Sequence, residues 1–313
     1  MSAEGLNPAD RLQAAHNLMV DHVTAEVAGA FASAGIESLV LKGPVLAEWL
    51  YAGEVRPYGD SDLLVAPTDW DRAVGVLERL GFEKYLNPLS HPPIESSTAT
   101  AFLRGNENVD LHRTLHGLEG KPDLVAASMM AGAERQLIGG AELRVPDRPA
   151  LLLNVGLHAA HHAEGRPIED LRRAIVQADE RLWGQALEQA QTFDGVPAFA
   201  SGLRLLPEGV GLARRLGVED VRSARHELHR QGIQTAEGID VLLSPGLGAW
   251  QRLRIVAREF FPTPVFMRTW TPLARHGRLG LAVAYLWRAV WLLLNAPRGM
   301  IARRRVRRAG SDE

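Results

Sequence analysis

The sequence predicts an α+β fold, a β-sheet with flanking helices followed by a mostly α-helical C-terminal region. Three observations predict it. Up to Val145, short apolar runs alternate with stretches of helical periodicity. Two segments in that half, around Gly105-Asn106 and Gly139-Gly140, read as hairpins. From Asp147 onward nearly every assignable segment is helical, so we expect one domain over residues 1–146 and a helical one over 147–313.

Taken in order, Asn7 and Pro8 open a helix whose apolar face carries Leu12, Leu18, Val23, Val27 and Phe31, and Gly35 ends it. Ile36–Leu41 is short, apolar and bounded by glycine, as a buried strand is. Pro44 starts a helix running to Tyr51, and Ser61–Val65 is the next strand. Pro67, Thr68 and Asp69 turn the chain into a helix over Trp70–Leu80. The segment Asn87–Ser97, with three prolines, is expected to be a loop over a site. Ala101–Arg104 and Asn108–His112 form the first hairpin, and Gln136–Val145 contains the second. Helices follow over Ala150–Ala160, Ile168–Arg181, Trp183–Phe193, Val196–Leu205, Gly209–Leu216 and Trp250–Phe260, while Arg222–Asp240 receives no assignment.

With 313 residues, 46% of them hydrophobic, the chain has material for a substantial core. Its 35 basic and 37 acidic residues nearly cancel, so bulk charge gives no reason to expect a nucleic-acid partner. The absence of cysteine excludes disulfides, thiol nucleophiles and thiolate metal sites, and agrees with a reducing compartment. The N-terminal residues lack the basic and apolar regions of a signal peptide, and a cytoplasmic location is expected.

Asp60 and Asp62 stand one residue apart at the edge of an apolar strand. Alternation along a strand puts them on one face, where two like charges call for a cation, and a divalent metal is the natural choice. The first hairpin adds Asp110, with His112 on the same face. Phosphoryl and nucleotidyl transfer use such carboxylates on neighbouring strands, together with a glycine turn where main chain approaches phosphate; Gly43 is placed for that turn.

These residues carry a resemblance. Lys42-Gly43, the spaced Asp60 and Asp62 before Leu63-Leu64-Val65, the Val109-Asp110-Leu111-His112 strand and a later histidine-rich helix ending in an Asp-Leu pair resemble an uncharacterised bacterial nucleotidyltransferase family within the DNA polymerase beta-like superfamily. Some members of that family lie in peptide natural-product gene clusters. The resemblance implies a nucleotidyltransferase-like mixed sheet that uses Mg2+ (or Mn2+) to transfer a nucleoside monophosphate from an NTP to an unidentified acceptor hydroxyl. It implies catalytic and metal-binding roles for Asp60, Asp62 and Asp110, and nucleotide contacts from Lys42, Gly43, Arg56, Ser61 and His112. Pro44, the long gap from Gly43 to Asp60, and Ser61 between the aspartates depart from the wider superfamily's pattern. The alternative is a catalytically degenerate member serving as a membrane- or partner-docking module.

Other features compete for a role. His158 and His162 have the i, i+4 spacing of zinc ligands, but Ala159 stands where a zinc-protease helix carries glutamate, so structural or substrate-facing histidines are expected. Glu169 and Asp170 read as helix-capping residues. Leu279–Leu294 is nearly all apolar yet interrupted by Arg288, and six arginines follow between Arg298 and Arg308. An interfacial helix with a polybasic tail and a core helix with a basic extension both fit, and the first implies peripheral attachment at the inner membrane face or to a biosynthetic protein partner.

Overall fold

A computed structural model describes residues 7–85, 98–221, 239, 242–243 and 248–309. The expected loop at Asn87–Ser97 lies outside these residues, as does most of Arg222–Asp240. The chain divides into two compact units, one built from Met1–Tyr85 and Ser96–Val221 and the other from Leu86–Glu95 and Arg222–Glu313.

In the first unit, α1 (Pro8–Ser33) leads to β1 (Ser38–Val40), α2 (Pro44–Tyr51), β2 (Ser61–Val65), α3 (Trp70–Arg79), β3 (Glu83–Tyr85), β4 (Ala99–Arg104) and β5 (Glu107–His112). The five strands form one mixed sheet in the order β1-β2-β5-β4-β3. Only β2 and β5 run parallel; β1 against β2, β4 against β5 and β3 against β4 are antiparallel. The parallel pair needs a long crossover, which α3, β3 and β4 supply. Every residue of β2 is buried, the pattern of a strand covered on both faces. On one face α1 covers it through Val20, Val23, Thr24 and Val27. The Asn7 side chain accepts a hydrogen bond from the Asp10 N–H and Pro8 occupies the first turn, so the start of α1 is fixed by its own sequence.

After α4 (Pro122–Ala131), β6 (Glu134–Ile138) and β7 (Ala141–Val145) make a separate two-stranded hairpin. Then come α5 (Arg148–His162), α6 (Arg166–Gln177), α7 (Glu180–Thr192), α8 (Val196–Leu203) and α9 (Pro207–Arg215). Helix α5 buries residues on every side, including Leu152, Leu153, Val155 and Leu157, as expected of a helix at the centre of a layer. Its crossing with α8 depends on two glycines: a Cβ on Gly202 would lie 2.0 Å from the Gly156 carbonyl oxygen. One continuous core runs from Val23 to Val218. This core continues past residue 146, with α6 packed on α2 and on α5.

Local signals place most elements within a residue or two. Helix α4 and strand β3 were not expected, since β3 is three exposed residues with no apolar alternation. The helix expected over Ile168–Arg181 ends at Gln177, where Ala178 turns extended and the Asp179 side chain caps α7.

The described part of the second unit consists of α10 (Ala249–Phe260), α11 (Pro264–Trp270), a 3-10 turn (Pro272–Arg275) and α12 (Gly277–Ala309). It has its own small core of Met267, Ala274 and Ala284.

Candidate functional site

The parallel pairing of β2 with β5 sets Asp62 directly opposite Asp110. Strand alternation turns both carboxylates, and His112 two residues on, away from α1. One ligand atom each from Asp62, Asp110 and His112 lies within 4.8 Å of the others. His112 Nε2 donates to Asp62 Oδ1 at 3.1 Å. Asp60 precedes β2 and lies outside this closest group, yet its charge acts on both Asp62 and Asp110. His112 thus stands directly beside the carboxylates. Ser61 points to the other face, where its hydroxyl meets Thr24 Oγ1 at 2.6 Å. The structure does not bring Ser61 to the site, and the reason is the strand period of two.

The end of β1 delivers Lys42 and Gly43. Lys42 Nζ sits 2.9 Å from Asp62 Oδ1. Gly43 opens α2 at φ +64°, so this turn takes glycine for its conformation, while a Cβ there would only touch the Tyr58 ring at 3.4 Å. The side chain of Asn154 on α5 donates to the Leu41 carbonyl at 3.3 Å, tying the turn to the helical layer.

Arg56 and Asp170 form the most buried ion pair of the site. Arg56 Nε and Nη2 donate to the two Asp170 oxygens at 2.9 and 2.6 Å, and Tyr51 Oη donates to Asp170 at 2.7 Å. Asp170 thus holds an arginine across 114 residues instead of capping its helix, a correction to the sequence expectation; Glu169 does occupy the first turn, paired with Arg172 and Arg173. The remaining nitrogen, Arg56 Nη1, is buried with no hydrogen-bond partner among the described residues.

These groups line a cavity of about 640 Å³ with Asp60, Asp62 and Asp110 on one side and His158, His162 and Arg166 among those on the other. Arg166 stands at the start of α6, exposed, and makes neither a hydrogen bond nor an ion pair among the described residues. Gly165, at φ +67°, leaves the approach to that helix terminus open, with nothing within 4 Å of where a Cβ would stand. Helix N-termini present unsatisfied N–H groups and favour anions.

Charge in the cavity is unevenly settled. Burial would raise the Asp62 carboxyl, but Lys42 and His112 outweigh it and hold Asp62 well below the usual carboxylate range. Asp110 is pushed up to about 6 by burial and then by Asp62 and Asp60. Burial and Asp62 also raise Asp60, while Lys42, Arg166 and Arg56 oppose the rise. Burial pulls Lys42 down, but the three aspartates more than compensate and keep it charged. Its ammonium also reaches His158 Nε2 at 3.5 Å, and burial followed by Lys42 keeps His158 neutral. The histidines continue as an array: His158 and His162 meet edge to face at 4.6 Å, and His161 stacks on His116 at 4.3 Å.

The donor set fits a hard divalent cation. It offers two carboxylates and an imidazole at short mutual distance, and Asp110 Oδ1 is buried with no hydrogen-bond partner among the described residues. Three cations, Lys42, Arg56 and Arg166, line the same cavity, Lys42 in contact with Asp62. Carboxylates beside cations in one cavity are the groups that a metal-chelated polyphosphate requires. Sequence reasoning missed Arg166, Asp170 and Tyr58. The only local hint of Arg166 was Gly165 before an Arg-Pro helix start, and nothing local marks Asp170 as a partner of Arg56.

The model of a family described as uncharacterised nucleotidyltransferase matches residues 3–210. No curated protein matches the chain. Among solved structures, ANT(2'')-Ia in complex with adenylyl-2''-tobramycin is similar at 15% identity, covering 55% of this chain and 98% of that one with a TM-score of 0.41. The lincomycin-bound lincosamide antibiotic adenylyltransferase LnuA is similar at 11% identity, covering 49% and 94% with a TM-score of 0.35. An antigenic nucleotidyltransferase-like protein from Paracoccidioides brasiliensis is similar at 16% identity, covering 58% and 92%, again with a TM-score of 0.35.

Proposed function

The chain belongs to the uncharacterised nucleotidyltransferase family, and we propose that it transfers a nucleoside monophosphate from an NTP to an acceptor hydroxyl with release of pyrophosphate. One observation carries this reading: Asp62 and Asp110 face each other on adjacent parallel strands, at the edge of a cavity whose other groups include three cations. A divalent cation held by Asp62, Asp110 and Asp60, with His112 beside them, would neutralise the triphosphate and ease ionisation of the acceptor hydroxyl.

The chain's own residues do the rest. Gly43 lets main chain approach the phosphates, and Lys42, Arg56 and Arg166 donate to their oxygens. Asp170 and Tyr51 fix Arg56 so that it loses little freedom on binding. Asp110 takes the proton of the attacking hydroxyl. The new bond joins the acceptor oxygen to the α-phosphorus, the bond from that phosphorus to the bridging oxygen of the β-phosphate breaks, and pyrophosphate leaves. His158, His162 and Glu164, on the helical wall, select the acceptor.

A second reading has its own support. The Lys42 ammonium already neutralises Asp62 at 2.9 Å, a duty a metal would otherwise share. In that reading the fold is kept without turnover and the protein docks elsewhere. Incubation with each labelled NTP and Mg2+ separates the two. We expect pyrophosphate release or Mg2+-dependent NTP binding that Asp60→Ala with Asp62→Ala abolishes; binding untouched by the double change would overturn the transferase reading.

A further inference from the structure

Between residues 249 and 309 the chain carries thirteen arginines, no lysine and a single acidic residue, Glu259, although the whole protein has a net charge of −2. The same segment exposes large apolar side chains. On α12, Leu279, Val283, Leu286, Trp287, Val290, Leu293 and Leu294 recur at spacings of three and four and are 46–83% exposed. That spacing draws one continuous stripe along a helix. The other side of α12 is already occupied: Ala284 is fully buried, Tyr285 Oη donates to the Pro262 carbonyl, and Arg288 is held by Glu259 through its carboxylate at 3.1 Å and its carbonyl at 2.8 Å.

We propose that the second unit docks on the surface of a bilayer containing anionic lipid, with the Leu279–Leu294 stripe in the headgroup and acyl boundary and the arginines on lipid phosphates. This rests on the second unit alone and is independent of the transferase reading.

Alternative occupants fit less well. Residues Gly277–Arg304 are long and apolar enough to cross a membrane. A spanning helix, however, would have to carry Arg288 and its bound Glu259 into hydrocarbon and shed the helices α10 and α11 packed along its side. A second copy of this unit would add to the excess of arginine over acid rather than offset it. RNA would use the arginines but has no use for seven apolar side chains. An anionic interface satisfies both halves of the surface.

Sedimentation of the full chain with phosphatidylcholine vesicles, with and without phosphatidylglycerol, tests the proposal. Binding should require phosphatidylglycerol and weaken as salt is raised. Leu286→Glu with Leu293→Glu, both on exposed positions, should reduce binding at least about tenfold without lowering the melting temperature. Arg298→Gln, Arg303→Gln and Arg304→Gln together should reduce it roughly a hundredfold and flatten the salt dependence. The proposal is overturned if the double leucine variant binds vesicles as well as wild type, if the protein resists carbonate extraction as a spanning one does, or if that variant converts a dimer to monomer while wild type ignores vesicles.

Discussion

The two units treat charge and apolar surface in opposite ways. In the first, the buried cations Lys42 and Arg56 face carboxylates, and the apolar side chains of sheet and α5 are out of water. In the second, arginines outnumber acidic residues thirteen to one and a stripe of leucine, valine and tryptophan is left exposed. Arg288 is paired there with the segment's sole acidic residue, Glu259. The contrast teaches that burial and ion pairing hold the first unit together, whereas the second leaves apolar surface in water. It also says where substitutions will be felt as lost stability and where as lost binding.

Substitutions that break this contrast can be ranked. Asp170→Ala leaves Arg56 charged, buried and unpaired, and should cost about 3–5 kcal/mol, seen as a drop in melting temperature on the order of 10 °C; a change under about 1 kcal/mol would show the pair to be incidental. Gly202→Ala forces α8 away from the Gly156 carbonyl and should cost about 1–3 kcal/mol by denaturant titration. His116 is lowered to about 3 by burial and then by His161 and other cationic neighbours. Its unfolded value is higher, so the unfolded state binds the extra proton, and stability should fall as pH drops from about 6.5 toward 3. His116→Gln should flatten that slope, by at most about 1.4 kcal/mol per pH unit. Arg166→Gln should weaken NTP binding about tenfold with no change in melting temperature. On the second unit, Leu286→Glu should shift stability by less than about 0.5 kcal/mol while acting on membrane binding.

Much of the sheet was legible in sequence because its signals are local. Gly35, Gly43 and Gly105 bracket apolar runs, Pro44 and Asp147 open helices, and the period of two already put Asp110 and His112 on one face. The same rule shows why Ser61, between two aspartates, faces α1. What stayed hidden was pairing at a distance. Asp170 reads locally as a first-turn acid, and only the packing of α6 against α2 brings it to Arg56. Arg166 reads as a surface arginine until Gly165 turns it to the cavity. The exposure of Leu286 and Leu293 is likewise illegible, since apolar periodicity gives a stripe's place on the helix but not whether another element covers it.

The most direct test of the account is titration of Mn2+ into the protein with a non-hydrolysable NTP, followed by the loss of the free-ion resonance signal, for wild type and for Asp62→Asn with Asp110→Asn. NTP-dependent Mn2+ binding is expected in wild type and its loss in the variant, with both proteins folded. Equal Mn2+ binding by the two, or none by either, would contradict it.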